Sequence, residues 1–126
     1  MPVKGFTKRM RAVAGNFFIS IPPAELYLLE AVLHYWNDKS CIKLLNNCRY
    51  AMSSGGCVTV IEYMLGDIGD PGIVPLMDLN MMVLSRGRER NFAEYRALFE
   101  AAGFERVQAY FLPTDMSVVV LEAFAA

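Results

Sequence analysis

The chain has 126 residues, a formal charge of -1 at pH 7, and 55% hydrophobic against 20% charged residues. This length suits a single domain over residues 1–126, and the composition excludes a disordered chain, which needs low hydrophobicity and high net charge. The near-zero net charge argues against a nucleic-acid partner, and no apolar run approaches the roughly 18–20 residues of a membrane span, so no membrane partner is predicted.

The first half of the chain alternates short apolar runs with one helical pattern. Met10–Ala14 is apolar and closed by a glycine, which predicts a short strand. Leu26–Leu33 fits a helix by its Ala, Glu and Leu content, or a buried parallel strand by its nearly continuous apolar run. Asn37 or Asp38 is the predicted N-cap of a helix that runs to about Met52.

Glycines punctuate the middle of the chain. Ser53–Gly56 is predicted to stop the helix, and Cys57–Met64 is predicted to form a buried strand. Gly66–Gly72 is glycine-rich but lacks the Gly-Lys-Ser/Thr ending of a phosphate loop and contains two aspartates, so a surface turn is predicted. An apolar helix over Val74–Leu84 is expected to follow.

The last third of the chain predicts a helix and two strands. Asn91 caps the helix with Glu94 as its capping-box partner, and Gly103 ends it. Phe104–Leu112 and Met116–Phe124 are strands whose join is too short for a parallel crossover, so they form an antiparallel hairpin. The alternation of strands and helices predicts an α/β fold with a mostly parallel sheet that ends in this hairpin.

Three ionisable residues, one at a strand end, one within a strand and one in a loop, mark a candidate site. His34, the only histidine, lies where a strand gives way to a loop, and ligands bind at the carboxyl ends of parallel strands. Glu62 interrupts an apolar strand, and a buried carboxylate needs a partner, which His34 could provide from an adjacent strand. Such a pair would raise the basicity of the histidine and orient it, with Glu89 as a second carboxylate. The alternative is a histidine that is hydrogen-bonded within the core.

Arginines crowd the turn around Glu89. Arg86, Arg88 and Arg90 alternate with other residues there, and such a charge run is more typical of a solvated loop than of an anion site. The turn is therefore predicted to face solvent.

The three cysteines, Cys41, Cys48 and Cys57, contain no C-x-x-C pair. This pattern is typical of reduced thiols in a cytoplasmic protein, and buried apolar thiols are expected. Zinc needs about four ligands, and three scattered thiols with one histidine are a poor supply, so no metal is predicted.

Six motifs occur together, namely Gly15–Phe18 (GNFF), Leu33–Trp36 (LHYW), Gly55–Gly56, Asp78–Val83 (DLNMMV), Gly87–Arg90 (GRER) and Phe92–Phe104 (FAEYRALFEAAGF). From about Met10 to Ala123 the chain resembles the C-terminal part of the small-molecule O-methyltransferases dependent on S-adenosylmethionine. That family includes plant phenylpropanoid, acetylserotonin and bacterial tailoring enzymes. The resemblance implies a partial Rossmann-like class I methyltransferase fold whose first strands and Gly-rich loop are missing from this sequence.

The resemblance also implies roles for individual residues. His34 matches the general base that takes a proton from the acceptor hydroxyl, and Glu62 and Glu89 match the acids that flank and orient it. The implied cofactor is S-adenosylmethionine, and the implied partner is a small molecule with a hydroxyl, most simply a phenol, whose pKa near 10 makes a positioned base useful. Matches to positions around the adenine are Asn16, Phe17 and Trp36, and matches to positions lining the acceptor pocket are Asn80 and Met81.

The missing strands would leave an apolar edge at Leu26–Val32, in agreement with the high apolar fraction. A homo-oligomer or a complementing N-terminal part is therefore expected as a partner. Three hypotheses follow: the catalytic C-terminal portion of an enzyme, a non-catalytic remnant acting as a binding or dimerisation module, or a different α/β ligand-binding domain. The intact acidic pair with His34 favours the first, the missing Gly-rich loop favours the second, and the long ordered match weighs against the third.

Overall fold

The computed structural model describes residues 9–64, 78–79, 87–111 and 118–125. Strands and helices alternate along these residues, which confirms the predicted α/β class. The elements in chain order are β1 (Ala24–Glu30), a short 3-10 turn (Leu33–Tyr35), α1 (Asp38–Ala51), β2 (Met52–Tyr63), α2 (Phe92–Ala101), β3 (Phe104–Phe111) and β4 (Val118–Ala125).

The four described strands form one sheet in the order β1-β2-β4-β3. β1 runs parallel to β2, with Leu29 beside Val60. β4 lies antiparallel to both β2 and β3, so the predicted hairpin is confirmed. Antiparallel pairings are in the majority among these four strands, and the parallel character predicted for most of the sheet is limited here to the β1–β2 pair.

The sequence left Leu26–Leu33 open between helix and strand, and the structure contains the strand. Pairing with β2 satisfies its backbone, because Leu26 to Glu30 align in unbroken parallel register with Cys57 to Ile61. The residues after Glu30 leave the sheet and enter the 3-10 turn.

One predicted strand and one predicted boundary are wrong. Met10–Ala14 is not a strand, because its backbone pairs with none of the described strands. Ser53–Gly56 does not separate helix from strand, since α1 ends at Ala51 and β2 begins at the next residue. The glycines are instead part of β2, where the register with β1 shifts. The predicted helix Val74–Leu84 lies outside the described residues except for positions 78 and 79.

Helices α1 and α2 begin at the predicted asparagine caps. The Asn37 side chain accepts a hydrogen bond from the Ser40 backbone N–H at 2.9 Å. Asn91 and Glu94 form the reciprocal capping box, which satisfies two otherwise unpaired backbone donors. Gly103, with a φ of +89°, follows α2 in the left-handed conformation that ends helices.

The core of the described residues lies between the sheet and helices α1 and α2. β2 alternates buried and half-buried residues along its second half, and the apolar face of α1 packs against the same layer. The largest fully buried apolar side chains include Leu33, Leu44, Leu45, Val58, Val60, Tyr95, Phe99 and Leu121.

The two outer strands of the sheet differ. β1 exposes Leu26 and Leu28, with 60% and 63% of their surface accessible. β3 is irregular, because its register with β4 shifts between Glu105 and Gln108 and Arg106 has a φ of +50°. A bulge of this kind bends a strand and disrupts its hydrogen-bond ladder.

No helix among the described residues has the length and apolar character needed to cross a membrane.

Candidate functional site

His34 lies on the 3-10 turn Leu33–Tyr35, directly beyond β1. The parallel register places Glu30, the last residue of β1, beside Ile61 of β2. The carboxyl ends of the two strands therefore meet at one edge of the sheet, where parallel sheets bind ligands. Glu62 is the next residue of β2, so the register brings it to the start of the turn.

The structure brings the three predicted ionisable residues together. His34 Nδ1 lies 2.8 Å from Glu89 Oε1 and 3.9 Å from Glu62 Oε2. All three residues are buried. Because a carboxylate can only accept, the short contact assigns the Nδ1 proton to a hydrogen bond from His34 to Glu89.

Glu62 holds the backbone of the turn. Its Oε1 accepts hydrogen bonds from the backbone N–H of Leu33 at 2.9 Å and, more weakly, from that of His34 at 3.4 Å. Burial raises the pKa of Glu62 to about 7, although His34 and these two donors act in the opposite direction.

The environment of His34 favours a basic imidazole. Its hydrogen bond to Glu89 raises the pKa above the ordinary value, against the opposing effect of burial, and the charge of Glu62 adds to the rise. Three buried atoms around this contact have no hydrogen-bond partner among the described residues: Nε2 of His34 and one oxygen each of Glu62 and Glu89. An imidazole with Nδ1–H bonded and Nε2 unpartnered is arranged to accept a proton at Nε2.

A glycine allows the Glu89 loop to reach this position. A Cβ atom at Gly87 would lie 1.7 Å from the His34 carbonyl oxygen, so only glycine fits there. The Glu89 backbone N–H donates to Asp78 Oδ1 at 2.8 Å. The approach of two backbones thus places the Glu89 carboxylate against the imidazole.

Arg90 is completely buried, and the prediction that it faces solvent is wrong. Its guanidinium donates to the carbonyl oxygens of Leu33 and Trp36 and to the carboxylate of Asp38. A buried charge is tolerated where a counter-ion and several acceptors surround it. No local pattern distinguished this arginine from its neighbours, because its acceptors lie more than fifty positions away.

The other arginines of this turn differ from Arg90. Arg88 is half-buried and pairs with Glu94 of α2. Arg86 lies outside the described residues.

An aromatic cluster of Phe17, Phe18 and Trp36 lies beside the same turn. Trp36 packs edge-to-face against Phe18, with ring centres 4.8 Å apart, and against Phe17 at 6.4 Å. Asn16 caps the local turn, because its Oδ1 accepts from the Phe18 backbone N–H at 2.9 Å. The structure therefore brings the three residues matched to the adenine position into one region, with Phe17 and Trp36 partly accessible.

A largely apolar cleft of about 480 Å³ opens beside Phe17. Three consecutive β1 residues, Tyr27, Leu28 and Leu29, line it. His34, Glu62 and Glu89 are not among the residues lining this cleft. The lining residues are Val13, Ala14, Gly15, Phe17, Ser20, Ile21, Pro22, Tyr27, Leu28, Leu29, Leu44 and Cys48.

The cysteines are free, as predicted, and two of them are buried. Burial raises the pKa of Cys41 and of Cys48 to about 11, so both remain thiols at neutral pH. Cys41 donates its S–H to the Leu33 carbonyl oxygen at 3.3 Å.

Within the described part of the chain, one group of side chains has a spacing that would suit a metal ion. It is the set of His34, Glu62 and Glu89, whose donor atoms lie within 4.8 Å of one another. The 2.8 Å contact between His34 and Glu89 is explained by the hydrogen bond from Nδ1–H. We therefore assign none of the three residues as a metal ligand. Asn80 and Met81, matched to the acceptor pocket, lie outside the described residues.

Comparison with known proteins identifies the family of this chain. The family model for the O-methyltransferase domain matches residues 2–105. Acetylserotonin O-methyltransferase of Mus musculus is 45% identical over 106 residues, which are 82% of this chain and 27% of the mouse protein.

Solved structures agree with the sequence match. The human N-acetylserotonin methyltransferase in complex with SAM superposes with a TM-score of 0.83 at 34% identity, covering 89% of this chain and 32% of the human chain. An O-methyltransferase from neocarzinostatin biosynthesis, in complex with S-adenosyl-L-homocysteine and 1,4-dihydroxy-2-naphthoic acid, has a TM-score of 0.82 at 36% identity and covers 97% and 36%.

The chain thus spans roughly a quarter to a third of the length of these relatives, and the matched residues 2–105 are most of its own length. With its fold in common with class I S-adenosylmethionine-dependent methyltransferases, the chain belongs to the O-methyltransferase domain family.

Proposed function

We propose that this chain is the catalytic C-terminal portion of an S-adenosylmethionine-dependent O-methyltransferase that acts on a small-molecule hydroxyl, and that His34 is its general base. The observation that carries the proposal is the state of the imidazole. Its Nδ1 is hydrogen-bonded to Glu89, while its buried Nε2 has no partner in the part of the chain that the structure describes. Phenols are the acceptors that benefit most, because their pKa near 10 leaves them protonated at neutral pH.

Each residue of the site has a defined part in the proton transfer. Nε2 of His34 would take the proton of the acceptor hydroxyl and so make its oxygen a better nucleophile. The Glu89 carboxylate stabilises the resulting imidazolium through Nδ1–H. Glu62 fixes the backbone of Leu33 and His34, so the imidazole need not reorient during the reaction.

The described residues fit the adenine end of the cofactor. S-adenosylmethionine supplies an electrophilic methyl group on a sulfonium when it is bound. The partly accessible faces of Phe17 and Trp36 suit a flat aromatic base, and Asn16 lies beside them. No described residue is assigned to the ribose or methionine part, which fits a chain that matches about a third of its relatives.

A second candidate function is a non-catalytic binding or dimerisation module. The exposed leucines of the β1 edge favour it, because unpaired apolar edges promote strand pairing with another chain. Pairing at this edge is also compatible with an active enzyme, either between two copies or with a complementing N-terminal part.

The decisive test is His34→Gln in the full-length protein. We expect turnover of a phenolic acceptor to fall about 10²–10⁴-fold, the usual size of a general-base contribution. The dissociation constant of S-adenosylmethionine should stay within about twofold, since the imidazole is assigned to the acceptor and not to the cofactor.

Arg96→Lys is the matched control, because Arg96 forms an exposed pair with Glu100 on α2 and should leave both quantities unchanged. Turnover by His34→Gln within a factor of two of the unsubstituted protein would show that the base is another group.

A further inference from the structure

The turn that contains His34 is held at both ends by one side chain. Arg90 donates from one terminal nitrogen to the Leu33 carbonyl oxygen at 3.2 Å and from the other to the Trp36 carbonyl oxygen at 2.8 Å. One guanidinium therefore spans the backbone on either side of the histidine. The same group donates twice to Asp38 Oδ1, at 3.0 and 2.9 Å.

The arrangement requires the shape of arginine. Its planar group presents several donors in a fixed fork, whereas a lysine ammonium is a point charge that cannot span two carbonyls and a carboxylate in this way. Arg90 is completely buried, and its guanidinium carbon lies 5.9 Å from the centre of the Tyr95 ring. Cys41 supplies only a weak additional donor to the same two carbonyls.

We propose that Arg90 is a positioning residue, which holds the Leu33 and Trp36 carbonyls and thereby sets the orientation of the His34 imidazole toward Glu89. Arg90 follows Glu89 directly in the chain. One loop thus provides both the hydrogen-bond partner of the imidazole and the side chain that fixes its backbone. This inference rests on the proposed function of His34, but its test requires no methyl transfer.

The chain offers a clean readout, because it contains a single histidine. We would titrate the His34 ring by NMR in the 126-residue chain and in Arg90→Lys, which keeps the positive charge but not the fork. If Arg90 orients the imidazole, the hydrogen bond to Glu89 loosens, and the pKa of His34 falls by about 0.5 to 1 toward its ordinary value.

Arg96→Lys makes the same chemical change at an exposed pair on α2 and should leave the titration unchanged.

A purely electrostatic role would give the opposite pattern. Among the described residues, the ionisable side chains that face His34 are Glu62 of β2, Glu89 of the loop and Tyr35 of the turn itself. Arg90 adds one positive charge beside the turn. If only that charge acted, Arg90→Lys would leave the pKa of His34 unchanged and Arg90→Gln would raise it. That pattern overturns the proposal.

The fold of each variant is checked first by far-UV circular dichroism and by cooperative unfolding in urea. If Arg90→Lys does not fold, Asp38→Asn provides the test. The Asp38 side chain is 59% exposed, and the amide oxygen of the substituted side chain can still accept from Arg90. We expect a smaller fall in the pKa of His34 in the same direction, and an unchanged pKa in this folded variant overturns the proposal. The two proposals can fail separately. If the pKa of His34 falls as expected in these variants but His34→Gln keeps full turnover, the role of His34 as base is refuted and the positioning role of Arg90 is not.

Discussion

The carboxyl end of β1 and its outer edge differ in burial and in hydrogen bonding. At its carboxyl end, His34, Glu62, Glu89 and Arg90 are all buried and connected by hydrogen bonds. Along the edge, Leu26 and Leu28 are exposed beside an open apolar cleft. The proposed proton-transfer residues are thus held together within this chain, whereas the surface beside the proposed cofactor region is open.

The largest difference in stability should appear when one methyl group is added at the buried end and one at the open cleft. Gly87→Ala should destabilise the fold by more than about 3 kcal/mol, because the new Cβ atom would overlap the His34 carbonyl oxygen. Gly15→Ala, at the open cleft, meets nothing within 4 Å and should change the free energy of unfolding by less than about 0.5 kcal/mol. Urea denaturation measures both, and equal effects would mean that the close approach at Gly87 is not rigid.

A smaller effect on stability is expected when the pH is changed, because the buried end contains Glu62. The pKa of Glu62 is raised from its ordinary 4.5 to about 7, so the folded chain keeps a proton that the unfolded chain releases. Stability should therefore fall as pH rises from about 4.5 to about 7, by about 1–3 kcal/mol. The raised pKa of His34 acts in the same direction, since its contribution is present below 6.5 and is lost as pH rises through the folded pKa.

Glu62→Gln isolates the carboxylate in that measurement. The amide oxygen can still accept from the Leu33 N–H, so the variant should fold and lose most of the dependence between pH 5 and 7. Glu100→Gln, on the exposed face of α2, should retain it. An equally steep decline in Glu62→Gln would assign the dependence to other groups.

The smallest effect on stability, with a clear effect on assembly, is expected at the open edge. Leu28→Lys should change the free energy of unfolding by less than about 0.5 kcal/mol, because the side chain is already exposed. It should weaken self-association at micromolar concentration, since a lysine on an edge strand opposes pairing. Tyr50→Lys alters a 93% exposed side chain on α1 and is the control. Sedimentation that shows an unsubstituted chain to be monomeric throughout would remove the basis for edge pairing.

The sequence singled out three residues that the structure brings together, His34, Glu62 and Glu89, but it misplaced several element boundaries. Glu62 was identifiable because a carboxylate inside an apolar strand needs a partner, and His34 because it follows a strand. Their meeting depends on the β1–β2 register, which extends without interruption from Leu26 to Glu30. Strand ends and buried charges are thus local signals of a site that forms only in three dimensions.

The failures share a physical cause, which is that the deciding partner is distant in sequence. Arg90 lies in a charged run, and its burial depends on the carbonyls of Leu33 and Trp36. Met10–Ala14 has the composition of a strand, but a strand requires a neighbour for its backbone groups. A local pattern can show that a segment is able to form an element, but not whether its partner is present.

The bulge in β3 would limit the addition of a further strand at that outer edge of the described sheet. The four described strands give the sheet two outer strands, and the register shift near Arg106 makes β3 a poor template for a further strand. Two copies that pair symmetrically through β1 would present only bulged strands at both ends of the joint sheet. Assembly through the sheet would then stop at a closed pair, and open-ended growth into fibres would have no second edge to use.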